Sequence, residues 1–140
     1  MNKTTFFPGQ GVGDLRFGIS EDELPQLYDF VFDPEVSGDP LSSDKSFYSE
    51  KYGTRADFED EKLSNVSCYK TIFFKGTQLI GLNFKSIEHL ICEFEYSYDK
   101  EETFLSSGPQ KIVYVDKIGL SLWIDNSGTI ISVDCIAPWS

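Results

Sequence analysis

Few residues in this chain are suited to catalysis or to metal binding. The sequence contains one histidine, His89, and three cysteines, Cys68, Cys92 and Cys135. A zinc site needs several such ligands in close spacing, and neither a second histidine nor a C-x-x-C pair is present. We therefore expect no metal, no cofactor and three buried free thiols, although the wide spacing leaves a disulfide between two of them open.

A small hydrolase with Cys92 as its nucleophile and His89 as its base is the main enzymatic alternative. No cysteine lies in a glycine-rich turn or at a helix start, the contexts that expose and activate a thiol. The alternating pattern of residues 87–98 predicts a strand, and an offset of three residues on a strand places two side chains on opposite faces. We expect the protein not to be an enzyme.

Acidic side chains are the most prominent chemical feature of the sequence. The chain has 23 Asp and Glu residues against 12 Lys and Arg, a net charge of −11. Residues 1–61 hold 14 acids and 5 bases, a balance of −9, whereas residues 62–140 hold 9 acids and 7 bases, a balance of −2. Such a field accelerates association with a basic partner and disfavours nucleic acid or an anionic membrane. Solubility alone is the simpler explanation of the same charge.

The densest acidic run covers residues 57–61 and contains one aromatic residue. Tight interfaces combine a few aromatic anchors with surrounding charges, and two tyrosines shortly before the run could serve as further anchors. We predict four steering carboxylates, Asp57, Glu59, Asp60 and Glu61, and three aromatic anchors, Phe58, Tyr48 and Tyr52. The alternative for the acidic run is a solvated loop that contacts no partner.

A helix is predicted near residues 21–30. Ser20 followed by Glu23 forms a capping-box pattern, and the acids of residues 21–23 suit the positive end of a helix dipole. Apolar residues then recur at helical spacing and predict one buried stripe: Leu24, Leu27, Tyr28 and Val31. Pro25 removes one intrahelical hydrogen bond, so we expect the helix to be short or kinked.

Most of the remaining chain has the pattern of strands separated by turns. Residues 46–58 predict a strand pair that turns at Gly53, and residues 125–128 predict a hairpin turn because Asn, Asp and Gly tolerate a positive φ. The composition of residues 33–45 and 106–109 is typical of loops. Further strands are predicted over residues 66–74, 79–84, 87–98, 111–115, 118–124 and 129–136.

These elements predict one domain over residues 1–140 in the α+β class. The domain should contain a mainly antiparallel, curved sheet of about six to eight strands and one short N-terminal helix. One helix cannot cover both faces of such a sheet. We therefore expect either a sheet wrapped strongly over the helix or an exposed face that a partner covers.

Residues 11–24, Gly-Val-Gly-Asp-Leu-Arg-Phe-Gly-Ile-Ser-Glu-Asp-Glu-Leu, form a recognisable pattern. It resembles the opening of small bacterial α+β proteins, among them toxin-immunity proteins of contact-dependent growth inhibition and related secreted-toxin systems. Residues 119–130 are similar to the closing hairpin of such proteins. The resemblance implies a cytoplasmic binding protein that neutralises a cognate toxin, and it implies no active-site residue because the pattern marks the start of the fold.

Charge and resemblance together predict an immunity protein that occludes the active site of a basic toxin, an RNase or a DNase. Nuclease domains are basic because their substrates are polyanions, so an acidic inhibitor can imitate the field of the substrate. The alternative is a non-catalytic adaptor or housekeeping domain of the same fold that associates with itself through a sheet edge. Without an apolar run of roughly 20 residues or a signal-peptide core, we expect a cytoplasmic location and no membrane or nucleic-acid partner.

Overall fold

The described part of the chain is built mainly from short antiparallel strands. The structure, a computed structural model, describes residues 4–33, 44–101 and 110–138. Its strands are β1 (Phe6–Phe7), β2 (Gly11–Val12), β3 (Leu15–Arg16), β4 (Val31–Phe32), β5 (Lys45–Ser49), β6 (Thr54–Glu59), β7 (Lys62–Cys68), β8 (Phe73–Phe74), β9 (Thr77–Gln78), β10 (Ser97–Glu101), β11 (Gln110–Val115), β12 (Leu120–Ile124) and β13 (Ile130–Ile136). One α-helix, α1 (Phe84–Ile91), and two 3-10 turns, Glu21–Glu23 and Gln26–Tyr28, accompany them.

Eight of the strands form one sheet in the order β10-β11-β12-β13-β7-β6-β5-β4. Every neighbouring pair in it is antiparallel. The other strands form two small sheets, β1-β2-β3 and β8-β9. The predicted α+β class with a mainly antiparallel sheet is confirmed. Register shifts between Asp57 and Phe58 and between Trp123 and Ile124 mark bulges, which bend their strands locally.

The two faces of the large sheet differ because successive side chains of a strand point to opposite sides. On the core face, Ala56, Val66, Cys68 and Val133 are fully buried. On the opposite side, called here the outer face, one row of register partners crosses four strands: Tyr48, Arg55, Ser67 and Asp134. The sheet therefore buries apolar residues on one side and carries polar and aromatic residues on the other.

The core face is covered by α1 and by the N-terminal strands. Phe84, Ile87 and Ile91 of α1 are buried in the same hydrophobic core as Val12 and Leu15. Their spacing of i, i+3 and i+7 places the three helix residues on one side of α1. Among the described elements, α1 and the N-terminal strands thus cover the core face together.

The helix predicted near residues 21–30 is present only as two short 3-10 turns and not as an α-helix. Glu23 does accept a hydrogen bond from the Ser20 N–H at 3.0 Å, as the capping-box pattern predicts. The turn nevertheless stops after Glu23, because Pro25 forces an extended conformation on the preceding Leu24, whose ψ is 131°. A second 3-10 turn, Gln26–Tyr28, follows. The predicted apolar stripe is divided accordingly: Tyr28 is buried, Leu24 is half-buried, and Leu27 and Val31 are 60% and 68% exposed.

The strand predicted over residues 87–98 is wrong, since α1 occupies its first part. Asn83 caps the helix by accepting a hydrogen bond from the Lys85 N–H at 3.0 Å. Apolar residues in this region fit both the period of two of a strand and the longer period of a helix, so the pattern alone does not decide between the two structures. The predicted strand over 79–84 is likewise not a strand of the structure. From Ser97 onward the chain is extended, in β10.

The pattern at residues 11–24 forms a compact N-terminal unit. Gly11 in β2 pairs with Arg16 in β3, and a Cβ added to Gly11 would lie 2.0 Å from the Leu15 carbonyl oxygen. Only glycine allows this close approach. Further along, the Gly18 N–H donates to the Leu63 carbonyl, and the Leu63 N–H donates to the Ile19 carbonyl, both at 2.9 Å. The unit is therefore tied to the start of β7.

The hairpins predicted from local turn signals are confirmed. Strands β5 and β6 pair across a turn that contains Gly53, and β12 and β13 pair across the turn at residues 125–128. The strand predicted over 66–74 is instead the end of β7 followed, after a break, by β8. Most of the predicted loop at 33–45, and nearly all of the predicted break at 106–109, lie outside the described residues.

Candidate partner-binding surface

The tip of the β6–β7 hairpin carries the acidic residues that the sequence analysis singled out. Glu59 pairs with Lys62, so Asp60 and Glu61 form a two-residue loop. Both loop residues have a positive φ, 50° and 67°, as a type I′ turn requires. Asn-Gly is the favoured sequence for that turn, whereas a bulky residue such as Glu is strained there. The charged tip therefore departs from the residue choice that would stabilise the turn best.

The carboxylates of the tip are available to a partner. Glu59, Asp60 and Glu61 are all exposed, and none forms an ion pair or a side-chain hydrogen bond with another residue that the structure describes. The N-terminal unit supports the tip from the side through the hydrogen bonds between Gly18, Ile19 and Leu63. The tip thus carries three exposed carboxylates without a described ion pair, beside one exposed cation, Lys62, which is the register partner of Glu59.

Asp57 has a different role from the one predicted. Its carboxylate accepts hydrogen bonds from Ser46 Oγ at 2.6 Å, from Asn65 Nδ2 at 2.7 Å and from Arg55 Nε at 3.0 Å. Arg55 Nη2 also donates to Asp57 and to Ser67 Oγ, both at 3.3 Å. Asp57 is half-buried and compensated by a cation, so it does not contribute a free steering charge.

The same network continues across the outer face to β13. Ser67 Oγ donates to Asp134 Oδ1 at 2.6 Å, and Trp123 Nε1 donates to Asp134 Oδ2 at 2.9 Å. Ser67 has no exposed surface. The network, defined by Arg55, Asp57, Asn65, Ser67, Trp123 and Asp134, is called here the outer-face network. It joins four strands and fixes their polar side chains in place.

Two pKa values reflect this environment. Burial alone would lower the pKa of Arg55, but attraction to Asp57, Tyr69 and Asp134 and the hydrogen bond to Asp57 outweigh it, so that pKa lies above its ordinary value. Burial raises the pKa of the Tyr69 hydroxyl, against the effect of Arg55 and with a further contribution from Asp134. Arg55 therefore stays charged and Tyr69 stays neutral at physiological pH.

The three predicted aromatic anchors differ in accessibility. Phe58 is only 2% exposed and packs edge-on against Phe47, so it belongs to the core and is excluded as a surface anchor. Tyr52 is half-buried, with its ring centroid 4.7 Å from that of Tyr28. Tyr48 is half-buried on the outer face, 6.4 Å from the ring of Tyr69. Tyr48 lines an open depression of about 800 Å³, whereas Phe58 contributes only to the lining of a smaller one of about 220 Å³.

The depression lined by Tyr48 lies at the β4 edge of the sheet and was missed by the sequence analysis. It has a volume of about 800 Å³ and is called here the edge groove; its described lining residues are Asp29, Val31, Phe32, Asp33, Tyr48, Glu50 and Lys51. Val31 lies directly opposite Tyr48 in the β4–β5 register. The apolar residues of this region are visible in the sequence, but their helical spacing predicts a buried stripe of a helix and not an exposed sheet edge.

The thiol and the imidazole of the enzymatic alternative both lie at one end of α1. Cys92 and His89 lie at the end of α1, three residues apart on a helix, so the strand argument that separated them was wrong. The Cys92 thiol donates to the His89 backbone carbonyl at 3.3 Å. All three cysteines are free; Cys68 and Cys135 are buried, as predicted, whereas Cys92 is exposed.

A metal site and a membrane helix are not found in the part of the chain that the structure describes. No group of three or more His, Cys, Asp or Glu side chains is arranged to hold a metal ion among these residues. None of the described helices is long and apolar enough to cross a membrane. No protein-family model, curated protein or solved structure matches this chain, so its function has to be inferred from the residues themselves.

Proposed function

We propose that this chain is an immunity-type binding protein that neutralises a cognate bacterial toxin domain by covering its active site. The observation that carries the proposal is the hairpin tip, where Glu59, Asp60 and Glu61 are exposed and form no ion pair within the described structure. A strained turn retains acidic residues although Asn-Gly would suit it better, which favours a role for the charge itself.

The chemistry of the partner follows from this charge. A toxin that cleaves RNA or DNA presents a basic surface to its polyanionic substrate, and the same surface attracts an acidic inhibitor. The overall charge of −11 adds a long-range field to the local charges of the tip. We infer that the partner is a basic nuclease domain made in the same cytoplasm, and that the chain itself contributes no catalytic group.

Association kinetics test the proposal directly. The candidate partner is the protein encoded next to this chain, and its association with the chain is followed by stopped-flow fluorescence at several salt concentrations. Reversal of both loop charges, Asp60→Lys with Glu61→Lys, should slow association about tenfold at low salt and weaken its salt dependence. Dissociation should change less, because long-range steering acts mainly before contact.

A matched control separates a local effect from the change in net charge. Glu95 and Asp116 are exposed and lie near the other end of the sheet, and the double variant Glu95→Lys with Asp116→Lys has the same net charge as the tip variant. It should slow association by less than about threefold. Equal rates for both variants would exclude the tip from the interface, and absence of binding to the toxin would overturn the proposed function.

A self-associating domain is the second candidate, and one observation favours it. Strand β4 pairs only with β5 among the described strands, and its Val31 and Phe32 are 68% and 39% exposed. Such an edge can pair with a second copy. Light scattering after size exclusion decides between the two: a stable homodimer favours self-association, and a monomer leaves the edge available to another protein.

A further inference from the structure

The edge groove combines an apolar floor with an acidic rim. Val31 is the most exposed of the large apolar residues that the structure describes, and Phe32 follows it in β4 at the sheet edge. Phe32 packs edge-on against Phe47 at 5.7 Å, and Phe47 packs in turn against the buried Phe58. Phe32 therefore continues the core to the surface on one side of β4, whereas Val31, the register partner of Tyr48, lies on the outer-face side of the same strand.

The rim supplies negative charge that the described structure does not compensate. Asp29 and Glu50 are exposed, and their carboxylates form no ion pair or hydrogen bond with another described residue. Lys51, the one cation among the described lining residues, places its Nζ 5.6 Å from the centroid of the Tyr52 ring. An occupant of the groove would thus meet apolar surface at the bottom and carboxylates at the edge.

This arrangement selects among possible occupants. An anionic ligand is repelled by the rim, and a purely polar one leaves Val31 and Phe32 without an apolar contact. A second copy of the chain would bring another acidic rim against the first, at a net charge of −11 on each copy. A segment in which basic and apolar side chains alternate satisfies both parts of the groove.

We propose that the edge groove binds a segment of the toxin in which a Lys or Arg side chain lies next to an aliphatic or aromatic one. The apolar side chain contacts Val31 at the sheet edge, and the cation lies between Glu50 and Asp29 with access to the ring of Tyr48, the register partner of Val31. The inference rests on the proposed function for the identity of the partner. Contacts in the groove then slow dissociation of the complex, whereas the charges of the hairpin tip accelerate its association.

The first experiment measures toxin affinity for two matched variants. Val31→Lys places a cation in the groove, and Leu27→Lys makes the same chemical change at a side chain that is 60% exposed and outside the described lining. Both sites are exposed, so both variants should fold and keep the thermal unfolding midpoint of the parent. We expect Val31→Lys to weaken binding at least about tenfold, mainly through faster dissociation, and Leu27→Lys by less than about twofold.

The second experiment uses a defined probe and does not depend on the toxin. The peptide acetyl-Arg-Leu-Arg-Leu-Arg-amide is titrated into the labelled chain, with acetyl-Glu-Leu-Glu-Leu-Glu-amide as its control. We expect amide chemical-shift changes at Val31, Phe32, Tyr48 and Glu50 with the basic peptide alone, and their loss in Val31→Lys. Shifts confined to Asp60 and Glu61, or no shifts at all, would overturn the assignment of the groove.

The two experiments separate failure of this inference from failure of the proposed function. Tight toxin binding that Val31→Lys leaves unchanged would remove the groove from the interface while the immunity function stands. Binding of the basic peptide in the groove without any toxin binding would support the preference of the groove for basic and apolar side chains, and it would exclude the toxin as the partner. A homodimer that Val31→Lys dissociates would overturn the inference, because a second copy would then be the occupant.

Discussion

The hairpin tip and the outer-face network both contain carboxylates, but the carboxylates differ in their surroundings and in their proposed roles. At the tip, Glu59, Asp60 and Glu61 are exposed and have no described ionic partner. In the network, only a few positions away, Asp57 is held by Arg55, Ser46 and Asn65 at 2.6–3.0 Å. The difference arises from position on the hairpin: Asp57 points across a sheet face towards donors on neighbouring strands, whereas the tip extends beyond them.

This contrast shows that acidic character alone does not identify a binding residue. A carboxylate that is compensated inside the fold contributes to stability and little to the external field, whereas an uncompensated one does the reverse. Substitutions at the two regions should therefore affect different measurements. Stability should respond to the network and association kinetics to the tip.

The largest expected effect is the loss of the Asp57 charge. Asp57→Asn leaves Arg55, whose side chain is only 27% exposed, without its carboxylate, and should lower the free energy of unfolding by about 2 kcal/mol. The same change at the tip, Asp60→Asn, should alter it by less than about 0.5 kcal/mol because that side chain is solvated. Urea unfolding of both variants measures the difference. Equal costs would show that the network does not stabilise the sheet.

Alkaline pH should destabilise the sheet in part through its buried thiols. Burial, with a contribution from Asp134 and against a hydrogen bond from Thr54, raises the pKa of Cys68 from 9.0 to about 12. Burial also raises the pKa of Cys135. Above pH 9 the unfolded chain loses these protons while the folded chain keeps them. The stabilisation is therefore fully present below that pH and is lost as the pH rises towards 12.

For Cys68 alone this loss amounts to about 1.4 kcal/mol between about pH 8 and about pH 10. Urea unfolding across that range measures it as a falling free energy of unfolding. In Cys68→Ala the fall should be smaller by that amount, whereas Cys92→Ala, which removes an exposed thiol, should retain the slope of the parent. A Cys68→Ala profile parallel to that of the parent would contradict the assignment.

The parts of the fold that could be predicted from sequence are those specified by neighbouring residues. The turns at Gly53 and at residues 125–128 carry their own signals, and the strands on either side alternate clearly. The helix was misplaced because two local signals conflicted: Ser20 and Glu23 favour a start, whereas Pro25 prevents continuation. For α1, the sequence signal of the helix start is the capping residue Asn83.

The candidate site was only partly predictable because accessibility depends on non-local pairing. The sequence shows that Asp57 and Phe58 are adjacent, but the register of β6 against β7 decides that Phe58 is buried and that Asp57 meets Asn65. The edge groove was not predictable for the same reason. It exists only where Val31 of β4 pairs with Tyr48 of β5, a register that no local pattern around Val31 specifies.

The smallest expected effect on stability tests whether the tip is maintained for its charge. Glu61 has a φ of 67°, and replacing the loop by Asn-Gly, through Asp60→Asn with Glu61→Gly, should raise the free energy of unfolding by roughly 0.5–1 kcal/mol because glycine adopts this conformation without strain. The control Glu95→Gly, at an exposed position whose φ is not positive, should lower it by a similar amount.

The same Asn-Gly variant loses two negative charges and should associate more slowly with a basic partner. A more stable hairpin with slower association would mean that the acidic loop is retained at the expense of stability. An Asn-Gly loop that stabilises the fold and leaves association unchanged would reduce the tip to a solvated turn.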